Sequence, residues 1–266
     1  MGIISVVIPS YNDAGYVSAC LDALAAQSRP ADEIIVVDNG STDATADVAR
    51  AAGARVVEEQ LRGVWPATAA GFDAASGDLL ARLDADSVPA PGWLAEIEHR
   101  MSRPDRPTFV TGSGVFYGAN PVIRWIARNV YIGGYFLAIG ALLGHPPVFG
   151  SNYAMRREAW LELRDVVHRD RGDVHDDLDL SWWIRPGMTV VRDDRMLVGV
   201  SARPFDSLEG LWRRVHVAFH TMAMDFRGWG PLERRAAYWR ARGRPIVPEE
   251  LETEVEATEG EEPLPA

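Results

Sequence analysis

Three apolar runs, each closing on a cluster of turn-forming and acidic residues, most constrain what this chain can fold into. Ile3–Ile8 ends at Pro9-Ser10-Tyr11-Asn12, Ile34–Val37 at Asp38-Asn39-Gly40-Ser41-Thr42-Asp43, and Leu79–Leu83 at Asp84-Ala85-Asp86. Nearly continuous apolar runs of this length read as strands buried on both faces, the pattern of a parallel sheet. Between them the spacing turns helical. Val17, Leu21 and Leu24 mark one helix over Ala14–Gln27, a second runs from Ala44 to Ala52 before Gly53, and a third from about Pro66 to Ala75. Ala54–Val57 supplies a further strand. Alternating strands and helices predict a parallel sheet with helices on both faces, where ligands bind beyond the carboxyl ends of the strands. The three polar loops therefore gather on one edge.

In an extended backbone, residues i and i+2 project to the same side, so Asp84 and Asp86 face one ligand. Two carboxylates forced together repel unless a cation or hydrogen-bond donor lies between them. A divalent metal carrying a diphosphate would supply that relief, because hard cations take carboxylate and phosphate oxygens together. A bare D-x-D also reads as an acidic turn that ends a strand.

At 266 residues, 47% hydrophobic and 24% charged, the chain has ample core for one large α/β domain with C-terminal additions. Its one cysteine, Cys20, excludes a disulfide framework within the chain and reads as a small buried hydrophobe. Every basic residue other than histidine is arginine, which excludes a lysine Schiff base or a P-loop lysine. Of the net charge of −11, eight units come from the glutamates of Glu249–Glu262, a run without a basic residue that is expected to be disordered. That balance argues against nucleic-acid binding. The N-terminus opens directly on a strand rather than a signal peptide, and the uncharged stretch after Asn129 falls short of the roughly 20 residues a membrane span needs. A cytoplasmic protein is the expectation.

The second half carries fewer signals. Pro91-Gly92-Trp93-Leu94 begins a helix, Thr108–Tyr117 reads as a strand, and Thr189–Val191 and Met196–Val200 as two late strands. The apolar segment Pro121–Leu143 reads as a buried core helix, or else as an interfacial segment touching a lipid or lipid-linked acceptor. Leu208, Leu211, Trp212, Val215, Phe219, Met222 and Phe226 form an amphipathic helical stripe. His216 and His220, four residues apart on its flank, read as solvated histidines or as a metal-chelating pair. Arg213, Arg214, Arg227, Arg234, Arg235, Arg240, Arg242 and Arg244 make this end basic. They read as a solvated helix face or as a contact for anionic lipid.

The three motifs in the first hundred residues, in this order and spacing, resemble the nucleotide-sugar-binding half of family 2 glycosyltransferases, inverting enzymes of the A-type glycosyltransferase fold. Further on, Phe149-Gly150-Ser151-Asn152-Tyr153-Ala154-Met155-Arg156 resembles that family's glycine loop and following strand. Val174-His175-Asp176-Asp177-Leu178-Asp179-Leu180 resembles its E-D-x-D-L signature. The resemblance implies donor contacts at Pro9, Ser10, Tyr11, Asp38, Gly63, Asp84, Ala85 and Asp86. Pro9 and Tyr11 would line the base pocket, Asp38 would bond the base, and Asp84 and Asp86 would hold ribose and a metal-diphosphate with Mn²⁺ or Mg²⁺. It implies sugar or acceptor contacts at Gly150, Ser151, Asn152 and Asp176, and a catalytic base at Asp177. The chain departs from the pattern in three places. Ala67-Thr68-Ala69 stands where members often carry A-R-N, Trp183 replaces an arginine after the signature, and no metal-binding histidine follows the last strand at Ser201-Ala202-Arg203.

The expectation is a mostly parallel, Rossmann-like α/β fold of the A type with C-terminal helices. It divides into a catalytic domain over 1–202 (donor half 1–103, acceptor half 104–202), an Arg-rich helical extension over 203–246 and a tail over 247–266. The expected activity moves a sugar, a hexosyl or related group, from a nucleotide-diphosphate sugar to a hydroxyl on a sugar, glycolipid or small molecule. Peripheral contact at the inner face of the membrane, with a lipid-linked acceptor, is the alternative, as is a catalytically inactive carbohydrate-binding homologue. A sugar-1-phosphate nucleotidyltransferase would need a glycine-rich G-x-G-x-R loop after the first strand, which the sequence lacks.

Overall fold

A computed structural model of the chain describes residues 2–118, 125–126, 130, 132–203 and 208–241. The acidic tail, Arg242, Arg244, Tyr131 and most of 119–131 lie outside the described residues.

The first half builds β1 (Ile4–Ser10), α1 (Ala14–Ala25), β2 (Glu33–Asp38), α2 (Thr45–Ala51), β3 (Arg55–Glu58), α3 (Val64–Ala74), β4 (Leu79–Arg82), the short β5 (Val88–Pro89) and α4 (Trp93–Met101). The second half adds β6 (Phe109–Tyr117), α5 (Gly133–Leu143), β7 (Tyr153–Arg156), α6 (Arg157–Leu163), α7 (Asp176–Trp183), β8 (Val190–Ser201), α8 (Leu208–Gly228) and α9 (Pro231–Ala241). The strands form one eight-stranded sheet in the order β3-β2-β1-β4-β7-β6-β8-β5. The pairs β3/β2, β2/β1, β1/β4 and β6/β8 are parallel. Strand β7 runs against both β4 and β6, and β5 runs against β8.

Every residue of β1 is buried. Ile4, Val6 and Ile8 face a layer holding α1 and α4, through Val17, Leu21, Leu24, Trp93 and Ile97. Val7 faces the other layer, where Trp65 and Phe72 of α3 meet Trp160 of α6 and Leu180 of α7. Cys20 is buried on α1, where burial raises its thiol pKa, and its Sγ lies 3.9 Å from the Asp84 carbonyl.

Three expectations need correction. The two late strands are one, β8, which keeps pairing with β6 across a register shift between Thr111 and Ser113. Helix α5 is not a core helix, since it buries Phe136 and Leu143 while Leu137 is 77% exposed. Helix α8 leaves Trp212, Phe219 and Phe226 of its apolar stripe exposed. It buries Thr221 and Asp225, whereas Trp212 and Phe219 are exposed, because Thr221 accepts the His175 N–H at 3.0 Å and Asp225 joins a polar cluster against α7. No helix among the described residues is long and apolar enough to cross a membrane.

Candidate active site

Because β1, β2 and β4 are parallel, their following loops meet at one edge of the sheet. Antiparallel β7 then brings the loop before it to the same edge. Arg82 at the end of β4 pairs with Tyr153 at the start of β7, so Gly150 and Ser151 lie beside Asp84. The Ser151 hydroxyl donates to Asp84 Oδ2, and the Gly150 N–H donates to Asp177 Oδ2 at 3.0 Å. Asp177 stands in the first turn of α7, where the helix dipole favours a carboxylate.

Arg82 joins these parts, and the sequence reading did not single it out. Its guanidinium is 1% exposed, with Nη1 2.7 Å from Asp84 Oδ1 and Nη2 2.9 Å from Asp176 Oδ2. Asp176 also accepts the Thr68 hydroxyl at 3.2 Å, so the threonine where the family often has arginine serves the same carboxylate. Burial alone would raise the Asp84 carboxyl, but Arg82, followed by the Ser151 hydrogen bond, holds it below its ordinary value. Burial first, then the neighbouring Asp176, pushes Asp177 above the usual carboxylate range. Burial and then Asp84 push Asp86 up in the same way.

Asp86 holds a different arginine. Its Oδ2 accepts from Arg203 Nη2 at 2.6 Å and Nε at 3.0 Å, and Arg203 Nη1 also reaches Asp13 at 3.0 Å. Arg203 follows β8, where the sequence lacks the family's histidine. Asp84 and Asp86 are thus near enough to interact but hold different partners, Asp84 inward on Arg82 and Asp86 on a partly exposed guanidinium. Ala85 between them is buried.

Across the cleft, Pro9 and Ser10 are buried at the end of β1. The Tyr11 ring is 44% exposed, and the Arg62 guanidinium sits 3.2 Å from its centroid. Asp38 Oδ1 accepts the Ser41 N–H at 3.0 Å and so shapes the loop after β2. Asn39 holds the loop at Gly63: its Nδ2 donates to the carbonyls of Glu59 and Leu61, and its Oδ1 accepts the Gly63 N–H at 2.9 Å. Gly63 has φ +146°, and a Cβ there would fall 2.3 Å from the Gly172 Cα. Gly63→Ala is therefore expected to cost about 1–3 kcal/mol, since backbone cannot yield as a side chain tip can. Urea unfolding checks this, and unchanged stability would show that the two loops separate freely.

Asn152 needs correction as a sugar contact. It is fully buried, its Nδ2 donates to the Ser113 and Met196 carbonyls, and its Oδ1 accepts from Trp93 Nε1 at 2.8 Å. The amide ties β6 and β8 to α4 beneath the cleft. Trp183, in place of the family arginine, donates to Asp225 at 3.2 Å, and Arg185 points away to the Glu162 carbonyl. His220 lies 3.2 Å from Asp173, and neither it nor His216 belongs to a metal-like cluster among the described residues. Arg234 is not on a solvated face: it is fully buried and donates to the Trp182, Leu143 and Ser181 carbonyls.

Comparison with known proteins agrees with this architecture. The family model described as "Glycosyl transferase family 2" matches residues 5–164, more than half the chain, ending before Asp176. Glycosyltransferase AglE of Haloferax volcanii is 37% identical over 99 residues, covering 34% of this chain and 33% of that protein. The PGL/p-HBAD biosynthesis glycosyltransferase of Mycobacterium tuberculosis is 32% identical over 128 residues, 46% of this chain and 49% of that one. These matches thus span a third to a half of the relatives' lengths. Among solved structures, the mannosyltransferase PcManGT from Pyrobaculum calidifontis, in complex with GDP-Man and Mn²⁺, superposes with a TM-score of 0.64 at 21% identity, over 97% of this chain and 80% of that one. Glucosyl-3-phosphoglycerate synthase from Mycobacterium tuberculosis, with Mg²⁺ and UDP, gives 0.61 at 23% identity, over 84% and 79%. At those identities the likeness shows the fold, an A-type glycosyltransferase sheet with its helices. The family match, spanning most of the cleft residues described above, places this protein in glycosyl transferase family 2.

Proposed function

We propose that the protein is an inverting glycosyltransferase that moves a sugar from a nucleotide-diphosphate sugar to an acceptor hydroxyl, with Asp177 as general base. One observation carries the reading. Arg82 binds Asp84 and Asp176 at once, which ties one of the proposed donor carboxylates to the residue that directly precedes the proposed base. The donor half, 1–103, supplies Tyr11, Asp38 and the Asp84/Asp86 pair, and the acceptor half, 104–202, supplies Gly150 and Asp177.

The donor set fits a divalent cation, since Asp86 holds a guanidinium from a partly exposed side chain where a metal would sit. Mn²⁺ or Mg²⁺, present in the solved relatives above, would be held chiefly by Asp86, with Asp84 steadying the turn. When bound, such an ion offsets charge on the departing diphosphate. The protein's own part is acid–base and positional. As the acceptor oxygen bonds to the anomeric carbon, its proton passes to the Asp177 carboxylate, and the bond to the diphosphate breaks with its electron pair. The Gly150 N–H orients that carboxylate. A single displacement of this kind inverts the anomeric configuration.

Asp86→Asn is expected to weaken Mn²⁺-dependent binding of GDP or UDP at least tenfold, equivalent to about 1.4 kcal/mol. Calorimetry with and without the metal checks it, and unchanged affinity would remove Asp86 from the site.

A second observation favours an acceptor at a membrane surface. A cleft of about 460 Å³ between α5 and α9 is lined by Phe136, Leu137, Tyr238 and Trp239, with Arg192 and Arg235 at its wall. Exposed Trp212, Phe219 and Leu232 lie on the two last helices. Apolar surface next to arginine suits an anionic lipid interface. The protein should sediment with vesicles containing anionic phospholipid at low salt, and less with zwitterionic ones. Equal recovery in the supernatant for both would remove this reading.

A further inference from the structure

Two residues beyond the proposed base, Asp179 turns to a different set of partners. It is fully buried, its Oδ2 accepts from Trp65 Nε1 at 2.6 Å and the His168 backbone N–H at 2.8 Å, and its Oδ1 lies 2.8 Å from His168 Nδ1. Asp225 reaches the same place from α8. It too is fully buried, with Oδ1 accepting from Trp183 Nε1 at 3.2 Å and lying 3.5 Å from His168 Nδ1. Its Oδ2 is buried without a hydrogen-bond partner. His168, Asp179 and Asp225 each bring one ligand atom within 4.8 Å of the others.

Hydrogen bonds within the cluster leave one oxygen of each carboxylate for a shared ligand. Asp179 spends Oδ2 on two N–H donors and Asp225 spends Oδ1 on an indole, which fixes both carboxylates as outer donors fix metal ligands. Two carboxylates buried together require a cation or a proton between them. Without a metal, burial and the Asp179 charge push the Asp225 carboxyl up to about 9. An ion bound at about 2.0–2.2 Å by nitrogen and oxygen sets its ligands about 3–3.5 Å apart; His168 Nδ1 and Asp179 Oδ1 are 2.8 Å apart and all three ligand atoms lie within 4.8 Å, so a small turn of the Asp225 carboxylate closes the set. The His168 side chain, 28% exposed, gives a way in from solvent. One imidazole with two carboxylates suits a first-row transition ion better than Ca²⁺.

We propose that His168, Asp179 and Asp225 form a second metal site, distinct from Asp86, that binds a divalent first-row transition ion such as Zn²⁺ and pins α8 to α7. The metal replaces contacts that would otherwise depend on shared protons, and it fastens α8 to the helix bearing Asp177. Nothing in this assignment depends on the nucleotide-sugar reading.

The test uses the full chain, stripped with a chelator and titrated with Zn²⁺ by calorimetry in the absence of nucleotide. The wild type and Asp86→Asn should both bind one Zn²⁺ per chain, with a rise in Tm, since a ligand that binds only the native state stabilises it. Asp225→Asn and His168→Gln should each lose at least tenfold in Zn²⁺ affinity and lack the Tm response. Asp225→Asn keeps the bond to Trp183, and His168 is partly exposed, so if one variant fails to fold the other decides. Undiminished Zn²⁺ affinity in the folded variant, binding that disappears in Asp86→Asn, or no Zn²⁺ response in the wild type would each overturn the site.

Discussion

Asp177→Asn is expected to lower turnover about 10²–10⁴-fold while leaving nucleotide-diphosphate affinity nearly unchanged. The substitution keeps the shape of the side chain, and an amide oxygen can still accept the Gly150 N–H. What it loses is the capacity to take the acceptor's proton. A hydroxyl is a poor nucleophile until that proton leaves, so the loss falls on the chemical step rather than on donor binding. The donor loops are also held by other contacts, chiefly Asn39 on Gly63 and Arg82 on Asp84. Single-turnover kinetics with a nucleotide sugar, beside calorimetry with the nucleotide alone, separate the two effects. Full turnover in a folded Asp177→Asn protein would defeat the base assignment. Proton NMR of the product gives an independent check, because a retained anomeric configuration would defeat single displacement itself.

Arg82→Met carries the second large effect, on stability. A buried guanidinium between two carboxylates is costly to assemble and costlier to break. Removing one partner of such a network leaves uncompensated charge in the interior, typically a loss of about 3–5 kcal/mol. Here the deletion leaves Asp176, which is 5% exposed, with the Thr68 hydroxyl, and leaves Asp84, whose side chain is 35% exposed, with the Ser151 hydroxyl. Urea unfolding should register the loss. Arg82→Met combined with Asp176→Asn should recover part of it, since one stranded charge is then gone. Stability within about 0.5 kcal/mol of the wild type would show that water replaces the guanidinium and that Arg82 does not organise the cleft. The two predictions separate roles, as Asp177→Asn should fold normally and fail chemically, while Arg82→Met should fail first as a fold.

Local sequence determined the elements that depend on local physics. Continuous apolar runs read as strands buried on both faces, and their alternation with helical spacing pointed to a parallel alignment of β1, β2 and β4, which puts Tyr11, Asp38, Asp84 and Asp86 at one edge. Side-chain partners were not legible, because nothing local encodes them. Arg82 reads in sequence as a charged interruption of a strand, yet with β7 reversed beside β4 it becomes the buried tie between Asp84 and Asp176. Asn152 reads as a polar residue in a glycine loop, yet tertiary packing closes over it and spends its amide on two strands and a tryptophan. In α8 Trp212 and Phe219 of the hydrophobic stripe stay exposed, since helical periodicity ranks apolar side chains and cannot register that a polar pocket awaits Asp225 and Thr221. Asp225, far along the chain, meets His168 and Asp179 only when α8 packs on α7. Periodicity is written in neighbours along the chain, whereas electrostatic pairing is decided by which neighbours the fold supplies.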